Sequence, residues 1–373
     1  MRRNLLTHDI DMSQTQLTTL IQHAAESSDP TSVGEELLTI AGFNGAMIKS
    51  YDPLVGGNSQ KSQVFRVEVA ENGGALARAI VKVPAELSTD RESEAASGVY
   101  ARELEVYNLL RDMQGGFQPH IFAALYDPES QTTALLIEDL GELPKRGEFI
   151  PKSIRRVLAD LAQIHSRYWG DESLSGNWWM RDGRRADIFD EDVEQFAPNW
   201  EKLATSKVLC PLDTTTVNEV ADFLADNILE VLQELDDRPR TLTHGDLHTA
   251  NMMLRRTDDP PAPVLIDWQD AVYSGASSDV AKFLSTTLSP EDARNRFNRL
   301  VADYYSALWN DIRSDYSFSA FRRDIMLALL GTFANYVICA TTSCSSDVDP
   351  QSLNSSLRRV SSVIDVVRPL DEL

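Results

Sequence analysis

Cysteine is scarce in this chain of 373 residues: Cys210, Cys339 and Cys344 are an odd number with no metal-ligand spacing. That excludes a disulfide framework and leads to the expectation of a reducing, cytoplasmic setting. Basic side chains are few as well, 35 against 57 acidic ones, for a net charge of −22. Such a balance works against sequence-independent attraction to phosphate backbones or anionic lipids, so neither nucleic acid nor membrane is an expected partner. Long apolar runs are missing. The most hydrophobic stretch, IMLALLGTFANYVICA, is shorter than the ~20 residues of a membrane span and contains Thr332 and Asn335, so it reads as a buried core helix. The opening MRRNLLTHDIDM has acidic residues where an export signal needs an apolar core, and the final LDEL is neither KDEL nor HDEL.

What is present is the composition of a globular protein, 42% hydrophobic and 25% charged, in a chain long enough for two lobes. Helical periodicity over residues 13–25 and 31–41, with Thr31 or Ser32 as the cap of the second helix, predicts a helical extension over 1–49. Residues 46–85 alternate Val, Phe and Ile between Gly-Gly pairs, the pattern of three antiparallel strands. A helix around GVYARELEVYNLLRDM and a strand at ALLIEDL complete a small lobe over 50–140. From 141 to 373 amphipathic helices dominate. The fold class expected is α+β, with an antiparallel-sheet lobe, a larger helical lobe, a linker near GELPKRGEF and a ligand cleft between them.

The chemistry concentrates in TLTHGDLHTANMML, where His244, Asp246 and Asn251 form an HxDxxxxN pattern, followed by Asp267 at the end of an apolar strand, PVLID. This is the layout of a phosphoryl-transfer site. A carboxylate at Asp246 can orient an acceptor hydroxyl and take its proton, and the Asn251 amide and Asp267 offer the hard oxygens that Mg²⁺ takes. The upstream lobe holds what such a site needs. Lys82 is a lone lysine in the apolar strand AIVKV, where a buried cation requires an anionic partner. Glu103 is the carboxylate expected there, with Glu105 second, since the two point about 200° apart on a helix. Gly56 and Gly57, between two strands, allow backbone amides to approach phosphates.

These motifs resemble the aminoglycoside phosphotransferase and choline kinase superfamily, in its choline-kinase-like and ecdysteroid-kinase-like branch. The resemblance spans roughly residues 50–345 and rests on LVGGNSQKSQVF, IVKVP, RELEVY, LLIEDL, LAQIHSRYW, LTHGDLHTANMM, LIDWQ and SDVAKFL. It implies a protein-kinase-like fold with ATP and Mg²⁺, and a nucleotide-binding lobe at 50–140. By position, Asp246 matches the catalytic base and Asn251 and Asp267 the magnesium ligands. Lys82 matches the lysine on the nucleotide phosphates, and Glu103 its ion-pair partner. Gly56, Gly57, Asn58 and Ser59 match the loop over the phosphates; Glu138, Asp139 and Leu140 match the hinge whose backbone reads adenine. Asp279 matches a residue that steadies the catalytic loop, and His165 a packing residue. His248 stands where many relatives have tryptophan, and faces the acceptor or fills space.

The function expected is transfer of the ATP γ-phosphoryl group to a hydroxyl of a small molecule that is aminoglycoside-, choline- or sterol-like. With IDWQ in place of DFG and no APE segment, a protein acceptor is the weaker alternative. A catalytically inactive nucleotide-binding protein is another, although none of the base, metal or lysine positions is lost. Trp178, Trp179 and Trp200, near many carboxylates, offer either an aromatic wall for a cationic acceptor or simple packing. The two histidines of HGDLH also suit zinc, but the remaining histidines are scattered and supply no further cluster. Protein purified without added zinc should therefore carry only substoichiometric zinc by metal analysis; a full equivalent would install the zinc reading instead.

Overall fold

A computed structural model describes residues 14–54, 62–70, 78–85, 98–113, 115–144, 151–183, 193–206, 213–256, 258, 261–339 and 350–373. The chain divides into two compact units. The first takes the described residues of Met1–Leu143 with Asn177–Met180 and Met253–Ala271; the second takes those of Pro144–Gly176, Arg181–Met252 and Val272–Leu373.

In the first unit, α1 (Gln14–Ser27) and α2 (Thr31–Ile40) precede the strands β1 (Met47–Pro53), β2 (Ser62–Ala70) and β3 (Arg78–Pro84). Helix α3 (Val99–Leu110) leads to β4 (Ile121–Asp127) and β5 (Thr132–Glu138). The five strands form one antiparallel sheet in the order β1-β2-β3-β5-β4. Side chains alternate across a strand, so β2 and β3 send Phe65, Val67, Val69, Val81 and Val83 to one face. There they share a core with Leu17 and Ile21 of α1 and Val33 and Leu37 of α2. The same alternation turns Lys82 to the opposite face from its neighbours Val81 and Val83.

Neither Thr31 nor Ser32 caps α2. The residue before the helix is Pro30, without a side-chain cap, and the Asp29 carboxylate accepts from the Thr31 N–H at 2.9 Å. Proline has no N–H and fits a helix entrance, so the capping acceptor moves one residue further upstream.

The second unit opens with α4 (Pro151–Arg167), the short β6 (Arg181–Asp182), α5 (Phe196–Thr205), α6 (Thr215–Asp236) and β7 (Arg240–Thr243). Strands β8 (Met252–Arg255) and β9 (Ala262–Leu265) then pair, almost wholly within the first unit. The chain re-enters the second unit at β10 (Val272–Gly275), which lies between β6 and β7. It continues through α7 (Ala276–Thr287), α8 (Pro290–Ala307), α9 (Asn310–Asp315), α10 (Phe318–Cys339) and α11 (Pro350–Val367). Helix α10 is the apolar run singled out above and is buried from Ile325 to Ala334 on all sides, as a core helix should be. Helices α6, α7 and α11 pack on it. Among the described residues no helix is long and apolar enough to cross a membrane.

Gly98 starts α3 with φ 75°, and a Cβ there would sit 2.7 Å from Trp179 Cα. Gly98→Ala combines a left-handed backbone with a backbone clash, so urea unfolding should show a loss on the order of 1–3 kcal/mol or more. An unchanged midpoint would show that Asn177–Met180 is free to yield.

Candidate functional site

The residues expected to act fall into two sets. Lys82, Glu103 and Asp267 meet in the first unit, while Asp246 and Asn251 meet in the second. Gly56, Gly57, Asn58 and Ser59 lie outside the described residues.

In the first set, Lys82 Nζ is 2.7 Å from Glu103 Oε2 and 2.9 Å from Asp267 Oδ1. It is Glu103 that reaches the lysine; Glu105, about 200° round the helix, points elsewhere. Burial opposes the charge on Lys82, but the Asp267 and Glu103 carboxylates outweigh it and raise its pKa above that of a free lysine. Burial and the Asp267 charge push the Glu103 carboxyl up while Lys82 pulls it down, leaving it above the usual range. With one ammonium and two carboxylates, the set has a formal charge of −1. Phosphate alone would be repelled there; phosphate with a divalent cation would not.

Asp267 has φ 65° and ψ 64°, a left-handed conformation that costs a non-glycine residue on the order of 1–3 kcal/mol. The surrounding structure holds it there. Arg102, fully buried on α3, donates to Gln269 O at 2.6 Å and to Trp179 O at 2.8 Å, and Gln269 Nε2 reaches Ser62 Oγ at 2.7 Å. Tyr107 donates to Glu103 Oε1 at 3.2 Å.

The expected hinge uses its acidic side chains structurally. Glu138 accepts from Arg255 Nη2 at 2.8 Å and from His120 N at 3.0 Å. Asp139 pairs with Arg66 Nε at 3.0 Å and accepts from Gly141 N at 2.9 Å. The Glu138 N–H is donated to His120 O at 2.9 Å, and Leu140 follows directly. Any recognition of a base at this segment therefore falls to main-chain groups after Glu138 N.

In the second set, Asn251 Nδ2 donates to Asp246 O at 2.9 Å and to Asp246 Oδ2 at 3.1 Å. Its amide nitrogen is thus committed, and its oxygen is a hard donor of the kind divalent cations prefer. Two side-chain nitrogens flank the carboxylate: Lys282 Nζ at 2.5 Å from Oδ1 and His248 Nε2 at 3.2 Å from Oδ2. Burial favours the neutral acid, but the charges and hydrogen bonds of Lys282 and His248 hold Asp246 well below the ordinary carboxylate range. His248 Nδ1 accepts from Ala250 N at 3.2 Å, so in the neutral ring the proton lies on Nε2, toward Asp246.

Asp279 at the start of α7 fixes this loop from beneath. It accepts from His244 N at 2.6 Å and Gly245 N at 3.0 Å, and Gly245 takes φ 79°, which suits glycine. Burial raises its pKa, yet His165 and the His244 N–H together keep it below the usual value. His165, wholly buried, contacts Asp279 Oδ2 at 3.4 Å and Tyr304 Oη at 2.6 Å.

Sequence reasoning passed over Lys282, Arg102 and Tyr107. Lys282 had a visible signal: it follows Asp279 by three residues on one helix, which places both on the same face. Of the tryptophans, Trp200 packs edge-on to Phe333 at 5.6 Å, and Trp179 is buried while Trp178 is 52% exposed. Among the described residues no group of three or more His, Cys, Asp or Glu could hold a metal.

The model of the ecdysteroid kinase-like family matches residues 57–314. A comparison with curated proteins finds no match. Among solved structures, an ethanolamine kinase of Plasmodium vivax aligns with a TM-score of 0.54 at 12% identity, covering 99% of this chain and 98% of its own. The GDP and kanamycin complex of APH(2″)-IIIa aligns with a TM-score of 0.53 at 12% identity, covering 91% and 98%. Identities this low speak to architecture alone, and they give this chain the kinase-like fold.

Lys282→Met should leave the Asp246 carboxylate short of a charged partner and lower stability by on the order of 1–3 kcal/mol. Urea unfolding checks it, with Lys282→Arg recovering part of the loss. Equal midpoints for all three proteins would remove Lys282 from the loop's support.

Proposed function

The chain belongs to the ecdysteroid kinase-like family, and we propose that it is an ATP-dependent phosphotransferase that moves the γ-phosphoryl group to a hydroxyl of a small molecule, working in the cytoplasm. The observation that carries this reading is the buried Lys82 ammonium held by Glu103 and Asp267. A largely buried charged set is a poor way to gain stability and a good way to hold phosphates. The names of the structural relatives, an ethanolamine kinase and a phosphotransferase bound to GDP and kanamycin, support nucleotide use and a small hydroxyl-bearing acceptor.

In this reading Lys82 orients the nucleotide phosphates and Glu103 keeps the ammonium in place. Asp267 and Asn251 are the residues that would hold magnesium, which supplies neutralisation of charge on the phosphoryl oxygens when bound. Asp246 accepts a hydrogen bond from the acceptor hydroxyl and aligns it for in-line attack. Because Lys282 and His248 hold its pKa low, Asp246 is ionised throughout the neutral range. It is a weak base suited to a loose transition state, in which the proton leaves late. The loop over the phosphates would be formed by Gly56, Gly57, Asn58 and Ser59, and the main chain at Glu138, Asp139 and Leu140 would meet the base.

Asp246→Asn should lower turnover by several powers of ten and leave ATP affinity nearly unchanged. Mass spectrometry of mixtures of hydroxyl compounds and a protein substrate with Mg²⁺ and ATP or GTP separates the readings. A phosphorylated small molecule is expected. Phosphorylated protein would make it a protein kinase, and no product with intact nucleotide binding would make it an inactive binder.

A further inference from the structure

We propose that Tyr107 is a positioning residue of the Lys82 set: through its hydroxyl it bridges the Glu103 carboxylate and the main chain of Asp267, and so fixes both partners of the lysine at once. The proposal rests on reading that set as the nucleotide phosphate site. Tyr107 lies one helical turn beyond Glu103 on α3, so the two share a face. Its ring is 1% exposed. The hydroxyl donates its one proton to Glu103 Oε1 at 3.2 Å and accepts a hydrogen bond from the Asp267 backbone N–H.

A phenol has one proton to give and lone pairs to receive with, and both capacities are spent within the set. Glu103 Oε1 is thereby occupied, and Oε2 is left to Lys82 at 2.7 Å. On the other side the bond reaches the residue whose backbone is left-handed, at φ 65°. Arg102 holds the same turn two residues later, through Gln269 O at 2.6 Å. Helix α3 therefore grips the Asp267 turn at two points, and only Tyr107 also touches Glu103. Without the hydroxyl, Glu103 can rotate about its terminal torsion and the Asp267 N–H loses its partner.

Tyr107→Phe removes the hydroxyl and keeps the ring; Tyr107→Leu is a second variant, and thermal unfolding shows that each is folded. On ligand-free protein, the rate of reductive methylation of Lys82, read by mass spectrometry against the exposed Lys49, reports whether the set is held. Tyr107→Phe should speed labelling of Lys82 several-fold and leave Lys49 unchanged, and Mg²⁺-ATP should bind roughly tenfold more weakly, as for a lost hydrogen bond to a charged group. In a Glu103→Gln background the same substitution should change either quantity by clearly less than in the wild type, the remainder being the hold on Asp267, because coupled residues are non-additive. Unchanged labelling or affinity in Tyr107→Phe, or equal losses with and without Glu103, overturns the proposal. A wild-type protein that binds no Mg²⁺-ATP strikes the nucleotide-site reading instead, and the labelling result then decides the role of Tyr107 alone.

Discussion

Burying one ammonium organises the first unit. Strand alternation turns Lys82 away from the core of Val81 and Val83 into a buried position, and the charge is tolerable there only with anions in contact. Glu103 on α3 and Asp267 after β9 supply them at 2.7 and 2.9 Å. That single requirement ties a central strand, a helix and a turn from 185 residues further along the chain. Removing Lys82 leaves the buried Glu103 carboxylate without its counter-ion, a loss of about 3–5 kcal/mol in comparable cases. The strained backbone of Asp267 adds to the cost, and strain of this kind persists where surrounding groups over-determine it. Arg102 and Tyr107 are those groups.

The second unit repeats the principle around a carboxylate. Asp246 is flanked by Lys282 and His248 and held by Asn251. Its loop is anchored on Asp279, which the main-chain N–H groups of His244 and Gly245 reach. These polar bonds fix the main chain of the loop, and the fully buried Leu247 anchors it to the core. In the proposed reaction, a charge-paired Asp246 would orient a hydroxyl rather than strip it early, as a phosphoryl transfer with a loose transition state asks.

Much of this was legible in sequence because it follows from local periodicity. Val81, Lys82 and Val83 announce a strand with one charged face, and the helix angle says that only one of Glu103 and Glu105 can meet the lysine. The apolar stretch of α10 was readable as a core helix from its length and its polar interruptions. Long-range returns were not readable. Nothing local indicates that Met253–Ala271 rejoins the unit containing the sheet, or that α1 and α2, which look like an appendage, share the core of that sheet. Lys282 shares a face of α7 with Asp279, but only the fold reveals that this face also meets Asp246. The cap of α2 was misplaced because Pro30 shifts the acceptor to Asp29.

If the buried lysine marks the nucleotide phosphate site, its loss must weaken nucleotide binding. Calorimetric titration of Mg²⁺-ATP into the wild-type protein and into folded Lys82→Met tests it most directly. The account predicts saturable binding to the wild type and a loss of roughly tenfold or more in the variant, the size of a lost charge-assisted contact. Equal affinities, or no binding to the wild type, would contradict it.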